Sequence, residues 1–82
     1  MTDVSIQKVK MQANYVNRLL EDKTTPNGLV EIEVIMLNDM LDKSRTSRSL
    51  APLKDREELY YILKKTQTLL HNTIEKEITE NE

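Results

Sequence analysis

The sequence contains no cysteine, phenylalanine or tryptophan, and it has a single glycine and a single histidine. Without cysteine the chain forms neither a disulfide bond nor a cysteine-ligated zinc site, and one histidine excludes a histidine-based metal cluster within one chain. One glycine excludes the usual glycine-rich loops that bind phosphate groups. No second catalytic group is placed near the histidine, so we predict that the protein is not an enzyme and that it has no cofactor or metal ion.

Long apolar runs are missing as well. No segment approaches the roughly 20 apolar residues that a membrane-spanning helix needs. The first residues lack the basic region and apolar core of a signal peptide, so we expect a cytoplasmic protein that does not contact membranes. The formal net charge of −2 opposes bulk electrostatic binding to nucleic acids, and binding to DNA is not favoured.

Three segments carry apolar residues with the period of a helix. The first, over residues 3–23, has an unbroken apolar stripe on one face. Its polar residues away from that stripe, which include Lys10, Gln12 and Asn17, are expected to be solvated. The stripe itself consists of Ile6, Val9, Ala13, Val16 and Leu20.

The second segment, over residues 27–43, contains the most apolar run in the chain, from Leu29 to Lys43. We interpret it as a central helix that is sandwiched between neighbours, because its apolar arc is wider than a surface helix needs. Residues 30–34 also alternate like a half-buried strand, but no other segment alternates and could pair with them. The two apolar stripes are Val30, Val34, Leu37 and Leu41, and Leu29, Ile32, Met36 and Met40.

The third helix is predicted over residues 53–79, after an exposed basic loop at residues 44–52. Leu50 and Leu53 are expected to pack back onto the helices. The predicted fold is therefore all-α, as a three-helix antiparallel bundle or a helical hairpin, and completed by self-association. Because the third helix is longer than the second, the bundle leaves apolar residues near its end uncovered.

Two hypotheses about function follow. The first is a small non-enzymatic protein-interaction module, such as an inhibitor, adaptor or anti-factor, that docks helices on a protein partner. A core of this size is marginal, and small domains commonly gain stability by forming homo-oligomers or by binding a partner. The residues predicted to form the partner or oligomer interface are Leu70, Ile74, Ile78, Met36 and Met40.

The alternative hypothesis concerns the basic segment at residues 43–56. Arginine forks and nearby hydroxyl groups bind phosphate well, so this segment is a candidate site for a phosphate-bearing small molecule, a nucleotide or a nucleic acid. A solvated loop is the competing interpretation of the same residues. The candidate anion-binding residues are Lys43, Arg45, Arg48, Lys54 and Arg56.

Overall fold

The computed structural model of the protein describes the backbone of residues 4–80 and the side chains of residues 4–73. All regular secondary structure in the described part is helical, which confirms the predicted all-α class. The elements are α1 (Ile6–Glu21), α2 (Asn27–Lys43), α3 (Arg45–Leu50) and α4 (Leu53–Glu80).

Local side-chain and backbone contacts set the ends of α1 and α2. Ser5 caps α1, and its hydroxyl accepts a hydrogen bond from the Lys8 backbone N–H at 3.3 Å. After Glu21, the Asp22 carboxylate accepts from the backbone N–H of Thr24 at 2.9 Å and from its hydroxyl at 2.6 Å. These two hydrogen bonds lower the pKa of Asp22 below its ordinary value. Pro26 then precedes α2, whose first turn bonds back to the proline carbonyl.

The central helix is α1, so the prediction that the helix at residues 29–43 is sandwiched was wrong. α1 packs against α2 on one side and α4 on the other, whereas α2 and α4 make at most marginal contact. Small valine and alanine side chains on α1 allow two helices to approach it closely. Of the α2 residues, only Leu37 is buried. The buried apolar core consists of Ile6, Val9, Ala13, Val16, Leu37 and Leu59.

Hydrogen bonds between the helices give their directions. The Gln12 side-chain amide donates to the Glu33 carbonyl at 3.0 Å, and the Val4 N–H donates to the Lys43 carbonyl at 3.4 Å. α1 and α2 are therefore antiparallel. The Asn17 amide donates to the Ile62 carbonyl at 3.3 Å, and Glu21 pairs with Lys65 at 2.9 Å. α1 and α4 therefore run in the same direction.

The segment predicted as an exposed loop at residues 44–52 is largely helical, because α3 occupies Arg45–Leu50. Ser44, at the junction of α2 and α3, is fully buried. Its hydroxyl donates to the Leu41 carbonyl at 3.1 Å and accepts from the Arg48 guanidinium at 3.0 Å. The hydroxyl group thus satisfies the Leu41 carbonyl, one of the backbone acceptors left at the end of α2, and it links α2 to the Arg48 side chain of α3.

The molecule is elongated, with principal extents of 46 × 25 × 18 Å. Its radius of gyration is 13.9 Å, whereas a compact domain of this length has about 12 Å. The elongation follows from α4, whose 28 residues span about 42 Å at the helical rise. α1 has 16 residues and spans about 24 Å. α4 therefore continues beyond the end of α1.

Candidate interaction surfaces

Lys10 of α1 forms the main ionic contact between α1 and the first turns of α4. Its ammonium lies 3.3 Å from the Asp55 carboxylate and 3.0 Å from the Glu58 carboxylate. The hydrogen bond to Glu58 is the main reason that the pKa of Lys10 is raised, Asp55 adds to it, and burial opposes it. The prediction that Lys10 is solvated was wrong, since its side chain is only 11% exposed. Because the Lys10 ammonium is paired with these two carboxylates, its role is to hold α1 against α4.

Asn17 and Gln12 were also expected to be solvated, and both instead join helices. Asn17 is buried and accepts a hydrogen bond from the Thr66 hydroxyl at 2.5 Å. Gln12 is half-buried and also donates to the Glu33 carboxylate at 3.1 Å. These polar residues lie on α1 faces that a single-helix pattern assigns to solvent, and α2 and α4 cover those faces from both sides.

The first exposed apolar surface lies on α2, and we call it the outer face: Leu29, Ile32 and Met36. These side chains are 38%, 60% and 46% exposed, respectively, and they follow one another on successive helical turns. Met40 continues the same stripe but is half-buried against the core. The Asp39 carboxylate and the Lys43 ammonium form an ion pair at 2.9 Å beyond the end of the face. The outer face is thus an apolar strip with no net charge at that end.

The second exposed apolar surface is a cleft between α2 and α4 at the end of the molecule that holds the α1–α2 turn. It has a volume of about 450 Å³, and Leu20 of α1 contributes to its lining. Ile35, which is 61% exposed, and Glu31 belong to the α2 wall, and Leu70 belongs to the α4 wall. A second hollow of about 440 Å³ lies next to it, beneath the turn. The lining of the cleft is Leu20, Asn27, Val30, Glu31, Val34, Ile35, Leu70 and Thr73.

The residues predicted to form one interface are divided between these two surfaces. Met36 lies on the outer face, and Met40 borders it. Leu70 lies in the cleft. Ile74 and Ile78 fall outside the side chains that the structure describes. In the sequence they follow Leu70 at intervals of four residues, the spacing of one helical stripe.

Three of the five candidate anion-binding residues are engaged by other groups of the chain. Lys43 is paired with Asp39, and Arg45 is paired with Asp42 at 3.3 Å. Arg48 donates to the Leu41 carbonyl at 2.7 Å and so caps the end of α2.

Lys54 and Arg56, the remaining two, are exposed near the start of α4. Next to them, Leu50 and Leu53 are 80% and 62% exposed, so the prediction that these leucines pack back on the helices was wrong. We call these four residues the basic corner.

Metal sites, unpaired buried polar side chains and membrane-spanning helices are all absent from the described part of the chain. Among the side chains of residues 4–73, no group of three histidine, cysteine or acidic residues is placed to hold a metal ion. Every buried side-chain nitrogen or oxygen in that range has a hydrogen-bond partner. None of the described helices combines the length and the apolar character that crossing a bilayer requires.

Comparison of the chain with protein-family models, with curated proteins and with solved structures gives no match.

Proposed function

We propose that the protein is a small non-enzymatic interaction module that docks the outer face of α2 on another protein and so acts as an inhibitor, an adaptor or an anti-factor. The observation that carries this proposal is the exposure of Leu29, Ile32 and Met36 on one helical stripe. Contiguous exposed apolar patches typically mark interaction sites. A helix with anchors at such intervals fits an apolar groove on a partner, and methionine adapts to irregular grooves.

The total exposed area supports the same proposal. The chain exposes 6162 Å², whereas a compact monomer of 9.6 kDa exposes about 5,100 Å². The surplus of about 1,000 Å² is close to the roughly 800 Å² that each partner contributes to a standard protein–protein interface. This surplus follows from the elongated shape of the molecule, and the exposed side chains of the outer face contribute to it.

The contacts of the basic segment favour this function over phosphate binding. A phosphate site needs several free donors that point to a common centre. Lys43 and Arg45 instead form ion pairs with acidic residues of α2. Arg48 donates to the backbone carbonyl of Leu41 in the same helix.

The test compares two variants of equal charge. Ile32→Asp with Met36→Asp places two carboxylates on the outer face. Asn14→Asp with Asn38→Asp places two carboxylates at exposed positions away from it. All four positions are exposed, so both variants should fold, and thermal unfolding followed by circular dichroism checks this.

Proteins captured from the host extract by the tagged wild-type chain are compared with those captured by each variant. We expect a partner that is retained by the control variant and lost by the outer-face variant. Its purified form should then bind the wild-type chain directly, with affinity that falls at least tenfold for the outer-face variant. The proposal is wrong if the outer-face variant binds the same proteins with unchanged affinity.

A further inference from the structure

Opposite charges are concentrated in neighbouring segments of the chain, and one acidic residue, Glu31, lies near the end of α2 that is remote from the basic segment. Residues 29–42 contain four acidic residues and no lysine or arginine, whereas residues 43–56 contain five basic residues and one aspartate. The basic corner lies at the end of the molecule where the Val4 N–H meets the Lys43 carbonyl. The cleft lies at the other end, near Leu20 and Asn27.

The cleft has an uncompensated acidic group. Glu31 lines it, and its carboxylate has no ion-pair or hydrogen-bond partner among the described side chains. The neighbouring acids of α2 are satisfied: Asp39 pairs with Lys43, and Glu33 accepts from Gln12. The cleft thus combines an apolar lining with a negative charge that a positively charged occupant would neutralise.

The basic corner has the complementary properties. Leu50 and Leu53 have the highest and the fourth-highest exposed fractions among the exposed large apolar residues. Lys54 and Arg56 stand beside them, and neither has an acidic partner within the described part of the chain. At this corner α3 has only six residues, and the chain bends at Ala51 before α4 begins at Leu53. A cleft of about 450 Å³ has room for both leucine side chains.

We propose that the basic corner of a second copy of this chain occupies the cleft, so that copies associate head to tail. Leu50 and Leu53 of one copy then cover Ile35 and Leu70 of the next, and Lys54 or Arg56 neutralises Glu31. A two-fold arrangement of cleft on cleft would instead bring one Glu31 towards another, and two basic corners would repel each other. A head-to-tail contact propagates into a ring or an open chain of copies.

This proposal uses surfaces other than the outer face, so its test is independent of the test of the docking function. In dilute solution at low ionic strength the chain should sediment as a 9.6 kDa monomer. Its mass should increase as the chain concentration rises towards the millimolar range. Molar salt should reduce this association, because it screens the contact between the corner and Glu31.

Two variants test the direction of the contact. Glu31→Lys with Ile35→Lys removes the acid from the cleft and opposes the basic corner, and Leu50→Asn with Leu53→Asn removes the apolar part of the corner. All four positions are exposed. Each variant alone should stay monomeric at ten times the concentration at which the wild-type chain is half associated. An equimolar mixture should form a complex of two chains and nothing larger, since it contains one intact cleft and one intact corner.

Sedimentation velocity distinguishes the outcomes. The proposal is overturned if the wild-type chain stays monomeric throughout, if either variant still associates by itself, or if the mixture stays monomeric. The outer-face variant, Ile32→Asp with Met36→Asp, should associate like the wild type while it loses a foreign partner. A loss of self-association in that variant would show that the copies meet through the outer face, which also overturns the proposal.

Discussion

The hydroxyl of Thr66 on α4 donates a hydrogen bond of 2.5 Å to the side-chain oxygen of Asn17 on α1, and both residues are almost wholly buried. The Ile62 carbonyl lies 2.9 Å from the same hydroxyl and also accepts from the Asn17 amide. The three groups form one polar contact inside the apolar interface of the two helices. Such a contact stabilises the pair only while all of its members are present.

We predict that Asn17→Leu and Thr66→Val each lower the free energy of unfolding by about 1–3 kcal/mol. Asn17→Leu removes the hydrogen bonds to the Ile62 carbonyl and from Thr66, and Thr66→Val leaves the buried side-chain oxygen of Asn17 without its donor. The double variant should lose less than the sum of the two, by about 0.5–2 kcal/mol, since no orphaned side chain remains. Urea denaturation of the four proteins measures this coupling. Strictly additive losses would show that the two side chains act independently.

Thr68→Val provides the matched control for that series. Thr68 is exposed, and its hydroxyl donates only to the Lys64 carbonyl of its own helix at 3.1 Å. Its replacement should change the free energy of unfolding by less than about 0.5 kcal/mol.

The ionic contact of Lys10 with Asp55 and Glu58 predicts a loss of stability at alkaline pH. The pKa of Lys10 in the folded chain is raised above 10.5, mainly by the hydrogen bond to Glu58. A raised pKa means that the folded state holds this proton more tightly than the unfolded state does. The resulting stabilisation is complete below pH 10.5 and is lost as the pH rises through the folded-state pKa.

The comparison of Lys10→Met with Lys8→Met isolates this effect. Lys8 lies two residues earlier on α1 and is exposed. Thermal unfolding between neutral pH and pH 11.5 should show a smaller alkaline decrease in melting temperature for Lys10→Met than for the wild type, while Lys8→Met should follow the wild type. Equal alkaline decreases in all three proteins would contradict the assigned role of Lys10.

Substitution of Arg48 distinguishes a structural role of the basic segment from a role in anion binding. Its guanidinium holds the Leu41 carbonyl and the Ser44 hydroxyl. Arg48→Ala should therefore lower the free energy of unfolding by about 1–2 kcal/mol, because it removes charge-assisted hydrogen bonds at the C-terminus of α2. Lys54→Ala, at an exposed position, should have little effect. A full loss of phosphate affinity in Arg48→Ala, with unchanged stability, would instead support an anion site.

The sequence predicted the helices better than it predicted their partners. The apolar period over residues 27–43 matches α2, which covers Asn27–Lys43. The same period shows which face of a helix is apolar, but it does not show how many neighbours a helix has. α1 became central because Val9, Ala13 and Val16 are small, whereas the more apolar α2 contributes a single buried residue, Leu37.

Polar residues explain the remaining differences. In the pattern of a single helix, Lys10 and Asn17 occupy positions expected to face solvent. In the folded chain, Lys10 bonds to Glu58 of α4, and Asn17 accepts a hydrogen bond from Thr66 of α4. Serine and arginine at positions 44 and 48 have the composition of a loop, yet they bond to the end of α2, and the segment is largely helical. Some of these contacts join residues that are far apart in the sequence, and others depend on where a helix ends. The local pattern of apolar and polar residues contains neither kind of information.

The exposure of the outer face of α2 is the central claim, and methyl relaxation by a soluble paramagnetic agent tests it most directly. In a dilute sample of the isolated chain, the methyl groups of Ile32 and Met36 should relax several times faster than those of Ile6. The side chains of Ile32 and Ile6 belong to residues that are 60% and 7% exposed, respectively. If the Ile32 methyl groups are as well protected as those of Ile6, the chain covers this face by itself and the proposed docking function is wrong.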